Sequence, residues 1–160
     1  VEKLYRAKGR DAGIAIPLIA GSIDQAKQVG VLETPHLILA RAFWPGPLTI
    51  VVASRGTLSP LVAAEGLTVA VRVPAHPIAR LLASKLNFCI TATSANPSGQ
   101  QPAATADEAA AALSSSIDVL LDAGPAPGGP PSTIVEIVGS GPRLVRAGSI
   151  AWERVLESLE

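Results

Sequence analysis

The sequence predicts an α/β fold of the α+β kind, a mixed twisted sheet with helices packed on it. Three observations predict it. Strand-like and helix-like segments are mixed along the chain, and some of the strands are neighbours in sequence. Apolar residues make up 48% of the 160 residues but aromatic residues only 3%, so Ala, Val, Ile and Leu must build thin, closely packed layers. No internal repeat, low-complexity tail or linker divides the chain, and its length suits one domain, residues 1–160, with its own core.

The elements follow in order. Val1 to about Lys8 reads as the end of a helix stopped by Gly9. Ile14 to Ala20 is a short apolar run and a strand. Ser22 caps a short helix that Gly30 ends. Thr34 is the cap of the next helix, with Pro35 at its first position, and that helix runs to about Ala42. Trp44-Pro45-Gly46-Pro47 forces a rigid turn before a strand from Leu48 to Ala53. Ser59-Pro60 starts a short helix ended by Gly66. From Thr68 to Val73 the residues alternate, with Val69, Val71 and Val73 on one face and Thr68, Ala70 and Arg72 on the other. A helix over Pro77–Leu86 is expected to bury Ile78, Leu81 and Leu82, and a short strand covers Phe88 to Ala92. Thr105 to Glu108 fits a capping box for a helix through the alanines. Ile117 to Leu121 is the next expected strand, followed by a Gly/Pro-rich loop from Gly124 to Pro131. Thr133–Val138 and Arg143–Arg146 read as a strand pair joined at Gly139 to Pro142, and Ser149 as the cap of a last helix to about Leu159.

Composition removes several function classes. Thirteen Lys and Arg balance thirteen Asp and Glu, so no global basic field attracts nucleic acid, although a local basic pocket is compatible with the balance. The single cysteine, Cys89, cannot form an internal disulfide and suits a reducing, cytoplasmic setting. No run of about 18 apolar residues is present to span a membrane, and no signal peptide is visible. Val1 to Arg6 reads as helix interior and methionine is absent, so upstream sequence is expected to be missing.

Several polar groups could carry chemistry. Lys8 and Arg10 flank a glycine where a helix ends, and could grip one anion or simply suit the helix dipole. Thr93 to Gly99 is dense in hydroxyl and amide groups, with Ser94 and Asn96 able to face a ligand or to satisfy their own turn. Arg72, between apolar strand neighbours, needs a partner, either a bound carboxylate or phosphate or an internal acid. Ser132, where the Gly/Pro loop becomes strand, is its best candidate contact, and that loop does not match a P-loop. Arg146 could reach a phosphate or cap the sheet edge. His36 and His76 lack a ligand cluster with zinc spacing and read as structural, so no metal site is expected, and Cys89 reads as buried.

The segments KGR (Lys8 to Arg10), PLIA (Pro17 to Ala20), FWPGPLT (Phe43 to Thr49), TVAVRVPAHP (Thr68 to Pro77), TSANPSG (Thr93 to Gly99), DAGPAPGGPPSTIVEI (Asp122 to Ile137) and GPRLVRAGSI (Gly141 to Ile150) occur in an order and spacing that resembles the YrdC-like threonylcarbamoyl-AMP synthases. The resemblance covers nearly the whole chain, and FWPGPLT and the SAN signature are its specific parts. It implies a YrdC-like domain with a concave ligand cavity. It also implies a nucleotidyltransferase that joins L-threonine, bicarbonate and ATP into threonylcarbamoyl-adenylate and pyrophosphate, for modification of an adenosine in certain tRNAs by a separate transfer complex. ATP with Mg²⁺ would be substrate, with no tightly bound cofactor.

By the same resemblance, Lys8 and Arg10 are the catalytic cations on the ATP phosphates, and Thr68, Ser94, Asn96, Pro102 and Arg146 complete the ATP site. Arg72, Ala92 and Ser132 surround threonine. Three departures accompany it. The family's N-terminal strand and P-T-(D/E)-T-V-Y-G-L-like segment are expected upstream of Val1. The stretch from Arg10 to Pro17 is about two residues longer than the commonest family spacing. Gly21 stands near where many members have His. A carbamoyl-adenylating YrdC-like domain of a larger maturation enzyme is the nearest alternative. An RNA-binding module is a different class, disfavoured as the main role by zero net charge and few aromatics, which leaves room for a weak RNA contact.

Overall fold

The fold comes from a computed structural model that describes residues 1–9, 16–63, 67–113, 116–139 and 141–160. Seven strands form one mixed sheet among these residues: β1 (Leu18–Ile19), β2 (Gly30–Val31), β3 (Leu48–Ser54), β4 (Thr68–Arg72), β5 (Ile90–Thr91), β6 (Thr133–Val138) and β7 (Gly141–Arg146). Their order is β5-β1-β4-β3-β6-β7, with β2 paired beside β3. The pairs β1/β4 and β3/β6 are parallel, and the other four pairings are antiparallel. The helices are α1 (Glu2–Lys8), α2 (Ile23–Val29), α3 (Thr34–Phe43), α4 (Pro77–Leu86), α5 (Ala106–Leu113) and α6 (Trp152–Glu157).

Strict alternation puts Leu48, Ile50 and Val52 of β3, Val69 and Val71 of β4 and Val135 of β6 into one buried cluster. Ala26 and Val29 of α2, Leu39 and Ala40 of α3 and Val155 of α6 close it. The proline turn after α3 ties three elements together. Trp44 Nε1 donates to the Leu48 carbonyl at 2.6 Å, Gly46 N–H to Val73 O at 2.9 Å, and Thr133 N–H to Pro47 O at 3.0 Å. A Cβ on Gly46 would lie 2.2 Å from the Phe43 carbonyl oxygen, so this turn needs glycine.

Many sequence expectations hold. Gly9 ends α1 in the left-handed conformation, Ser22 Oγ accepts from Gln25 N–H at 3.1 Å, and β6 runs over the expected residues. The capping box of α5 forms with a shift of one residue: Thr105 Oγ1 accepts from Glu108 N–H, while the Glu108 carboxylate accepts from Ala104 N–H.

Other expectations need correction. The first strand shrinks to Leu18–Ile19 because Pro17 has no N–H for the ladder, and residues 14 and 15 lie outside the described set. The cap of α3 is Glu33, not Thr34, and His36 Nδ1 accepts the Glu33 N–H at 3.1 Å. Burial lowers the His36 pKa against the opposing pull of Glu33, which favours this neutral acceptor form. The segment after Ser59 is a single turn closed by Val62 N–H on Ser59 O, and Gly66 lies outside the described residues. Residues 117–121 form no strand: they have no ladder partner among the described residues, and Val119, Leu120 and Leu121 are exposed. Ser149 does not cap α6, whose cap is Ala151. Its hydroxyl instead serves the Pro130 and Pro131 carbonyls, in a loop whose prolines cannot donate.

Helix α4 is the largest surprise. Ile78, Leu81 and Leu82 are exposed, and Ala83 is the buried residue. The helix sits down through its small residues onto Gly21, where a Cβ would be 2.1 Å from Ser84 Oγ and 3.1 Å from Arg80 O. Close approach at Gly21 rotates the apolar face outward, and the room that a larger residue would need at 21 is filled by α4.

Cys89 is buried, as expected, and its thiol donates weakly to Gln25 O at 3.5 Å. Burial pushes its pKa up to about 11, so at pH 7 roughly one molecule in 10⁴ carries the thiolate. An aromatic disulfide reagent at pH 7 should label the folded chain at under about 1% of its rate with the urea-unfolded chain. Comparable rates would contradict this burial.

Candidate active site

Strand register brings distant residues into one row across the sheet. Ile19 of β1 pairs with Arg72 of β4, Thr49 of β3 with Ile134 of β6, and Ile134 with Arg146 of β7. One ladder step beyond the Ile50/Val71 pair, Thr49 stands opposite Arg72. The row is therefore Ile19, Arg72, Thr49, Ile134 and Arg146, on the face opposite Leu48, Ile50, Val69 and Val71. It floors a concave cavity of about 740 Å³, a volume in the ordinary range for ligand sites. Ala92, Thr93 and Ser94 after β5, Pro102, and Pro131 with Ser132 before β6 form its walls.

The electrostatics of this cavity are one-sided. Two guanidinium groups line it, and among the described residues no carboxylate does. Among the described residues the Arg72 side chain makes no hydrogen bond or ion pair. Its pKa is lowered, first by burial and then by repulsion from Arg146. Both causes say that its charge is held here at a cost, which a bound anion would offset. Arg146 is anchored: its Nη2 donates to Ser132 O at 2.8 Å and to Ser132 Oγ at 3.1 Å, and its Nε to Ser132 O at 3.3 Å. Ser132 Oγ also lies 2.9 Å from Thr49 Oγ1.

The wall after β5 is built around Lys8. This residue is only 6% exposed, and its Nζ donates to Ser94 O at 2.6 Å, Asn96 O at 2.7 Å and Asn96 Oδ1 at 3.3 Å. Asn96 completes the turn, giving its amide hydrogens to Pro97 O and Gln100 O. Both side chains therefore hold the loop from inside it. Ser94 is exposed, and its hydroxyl has no protein partner among the described residues. Thr93 and Ser94 also border a second, more apolar groove of about 590 Å³ between α1 and residues 116–119, with Lys3 and Asp118 paired across it.

Of the residues singled out from sequence, Arg72, Ala92, Ser94, Pro102, Ser132 and Arg146 line the cavity together. Lys8 and Asn96 support its wall. Thr68 lies on the same face of β4 as Arg72 but four residues away and outside the lining, and Arg10 lies outside the described residues. Thr49 and Ile19 were not anticipated. The available signal was a hydroxyl residue set between Leu48 and Ile50 in an apolar strand. His36 and His76 are not in the lining, and among the described residues no group of three His, Cys, Asp or Glu is placed to hold a metal. No helix of the described residues is long and apolar enough to cross a membrane.

Comparisons with known proteins agree with one another. The Sua5_yciO_yrdC family model, described as telomere recombination, matches residues 1–148. A putative threonylcarbamoyl-AMP synthase of Mycobacterium tuberculosis is 37% identical over 162 residues, covering 99% of this chain and 73% of that protein. The threonylcarbamoyl-AMP synthase of Bacillus subtilis is 34% identical over 157 residues, covering 97% of this chain and 45% of that protein. Among solved structures, P. abyssi Sua5 complexed with L-threonine superposes with a TM-score of 0.91 at 30% identity, covering 98% of this chain and 46% of that one. The chain thus spans about three quarters of the mycobacterial relative and under half of the other two.

Proposed function

The chain belongs to the Sua5/YciO/YrdC family, and from that premise we propose that it forms the synthase domain of an L-threonylcarbamoyladenylate synthase, a nucleotidyltransferase. The observation that carries this reading is the cavity with two guanidiniums and, among the described residues, neither an acid in its lining nor an internal partner for Arg72. The reaction suits such a site because its reactants are anions. The threonine amine attacks bicarbonate to give a carbamate with loss of water. A carbamate oxygen then attacks the α-phosphorus of ATP, and pyrophosphate leaves. Cations fixed in advance offset the repulsion between carbamate and triphosphate, so positioning and charge do most of the work.

In this reading Arg72 forks onto the threonine carboxylate, with Ala92 and Ser132 beside the amino acid. Ser94, Pro102, Arg146 and, further along β4, Thr68 face the nucleotide. Lys8 and Asn96 shape the loop that receives the phosphates, and Arg10 adds a cation to them. Among the described residues no carboxylate lines the cavity, so Mg²⁺ would arrive with the triphosphate and stay coordinated by its oxygens and water. The product would pass in the cytoplasm to the enzymes that load the threonylcarbamoyl group onto tRNA.

The test is pyrophosphate release by the full-length protein with ATP and Mg²⁺, omitting L-threonine and bicarbonate in turn. Release that needs both supports the synthase. Release with neither, or only with carbamoyl phosphate, overturns it.

A further inference from the structure

Thr49, Ser132 and Arg146 form one hydrogen-bonded trio at the cavity. Thr49 is 3% exposed, and among the described residues the only partner of its hydroxyl is Ser132 Oγ at 2.9 Å. Either oxygen could donate in this pair, but a buried hydroxyl proton without an acceptor is costly and Thr49 is the more buried of the two, so the arrangement favours Thr49 as the donor to Ser132. Arg146 Nη2 is necessarily a donor, and it also points at Ser132 Oγ, at 3.1 Å. A serine hydroxyl has two acceptor positions and one proton. With both acceptor positions filled from Thr49 and Arg146, the Ser132 proton is left for whatever occupies the cavity that Ser132 lines.

We infer that Thr49 is a positioning residue that, together with Arg146, commits Ser132 to donating its proton to a carboxylate or carbamate oxygen of the bound amino acid. This rests on the synthase reading for the identity of that ligand. The arrangement favours an acceptor, because a ligand that presented a donor to Ser132 would find no acceptor there, and the guanidiniums of Arg72 and Arg146 favour one that is negatively charged. Thr49 lies on the cavity floor, nearly fully buried, and its effect on the ligand is assigned through Ser132, the partner within hydrogen-bond distance of its hydroxyl. It is fixed by the ladder, standing opposite Ile134 on β6 and, one step beyond the Ile50/Val71 pair, opposite Arg72 on β4.

The test measures pyrophosphate release against L-threonine, at saturating ATP and bicarbonate, for full-length wild type, Thr49→Val, Thr49→Ser, Ser132→Ala and the Thr49→Val/Ser132→Ala pair. Valine keeps the shape and removes the hydroxyl. The threonine KM is expected to rise about five- to tenfold in Thr49→Val, with ATP KM and kcat moving less than about twofold. Thr49→Ser should return the threonine KM to within about twofold of wild type, and the pair should be no worse than Ser132→Ala alone. A threonine KM in Thr49→Val within about twofold of wild type, or losses that simply add in the pair, would overturn the inference. Should Thr49→Val not fold, Thr49→Ala carries the same measurement.

Failure of the synthase reading looks different: wild-type release would not depend on threonine. Inorganic phosphate binding, measured by calorimetry, then probes the same donor. Phosphate affinity should fall about fivefold in Thr49→Val. Unchanged affinity, or a wild-type protein that binds no phosphate, would overturn the inference.

Discussion

Arg72→Met is expected to remove most of the activity of the full-length protein while raising, not lowering, the melting temperature of the ligand-free fold. The two effects have one cause. In the free protein the Arg72 guanidinium is partly desolvated, faces the charge of Arg146, and has no internal acid among the described residues. Methionine of similar length fills the space without that charge. Replacing a poorly compensated charge by an apolar side chain is often neutral or stabilising, and a rise of roughly 2 °C is expected. With substrate bound the sign reverses. Losing a forked, charge-assisted pair to a carboxylate costs about 3 kcal/mol, so kcat/KM for threonine should fall on the order of 100-fold. Lysine at 72 keeps the charge but not the fork, and should recover only part of the loss. Differential scanning fluorimetry and threonine-dependent pyrophosphate release measure the two halves. A variant that is both less stable and fully active would show that Arg72 serves the fold.

The same contrast explains what could be read in the sequence. Local chemistry was legible: the Ser22 cap, the stop at Gly9, the alternation that buries Val69 and Val71, and the rigid turn at Pro45 to Pro47 each depend on a few adjacent residues. Arg72, Ser94, Ser132 and Arg146 were legible as polar groups in unusual settings, and the structure gathers them around one cavity. Register was not legible. Nothing local says that Thr49 stands beside Arg72 and Ile134, because β3 takes those neighbours from strands that begin nearly 20 and more than 80 residues further on. Orientation of a helix was not legible either. The apolar pattern of α4 predicted that Ile78, Leu81 and Leu82 face inward, but a close contact at Gly21 decides otherwise. Lys8 shows the same limit on a smaller scale. Its charge was visible in sequence, but the carbonyls of Ser94 and Asn96 that it holds lie 86 and 88 residues away.

Gly148→Ala should be the most destabilising single methyl that can be added to this site. Gly148 crosses the chain where the Gly/Pro loop enters β6, and a Cβ there would lie 2.3 Å from Pro131 O and 2.5 Å from both Ser132 C and Thr133 N. These are backbone atoms, which no rotamer change can move aside. The neighbouring bonds resist a shift: Ser149 N–H on Pro131 O at 2.8 Å, and Thr133 Oγ1 both donating to Ile150 O at 2.7 Å and accepting from Ile150 N–H at 2.9 Å. Overpacking against a rigid crossing costs about 3 kcal/mol, or roughly 6 to 12 °C in Tm for a domain of this size. Relief by displacement would carry Ser132 away from Thr49 and Arg146, so threonine use should suffer beyond the loss of stability. At a temperature where the variant is still folded, threonine KM should therefore be raised, and a second substitution that removes a hydroxyl, Thr49→Val, should add little to it. A Tm within about 2 °C of wild type would mean that the crossing is looser than these distances indicate.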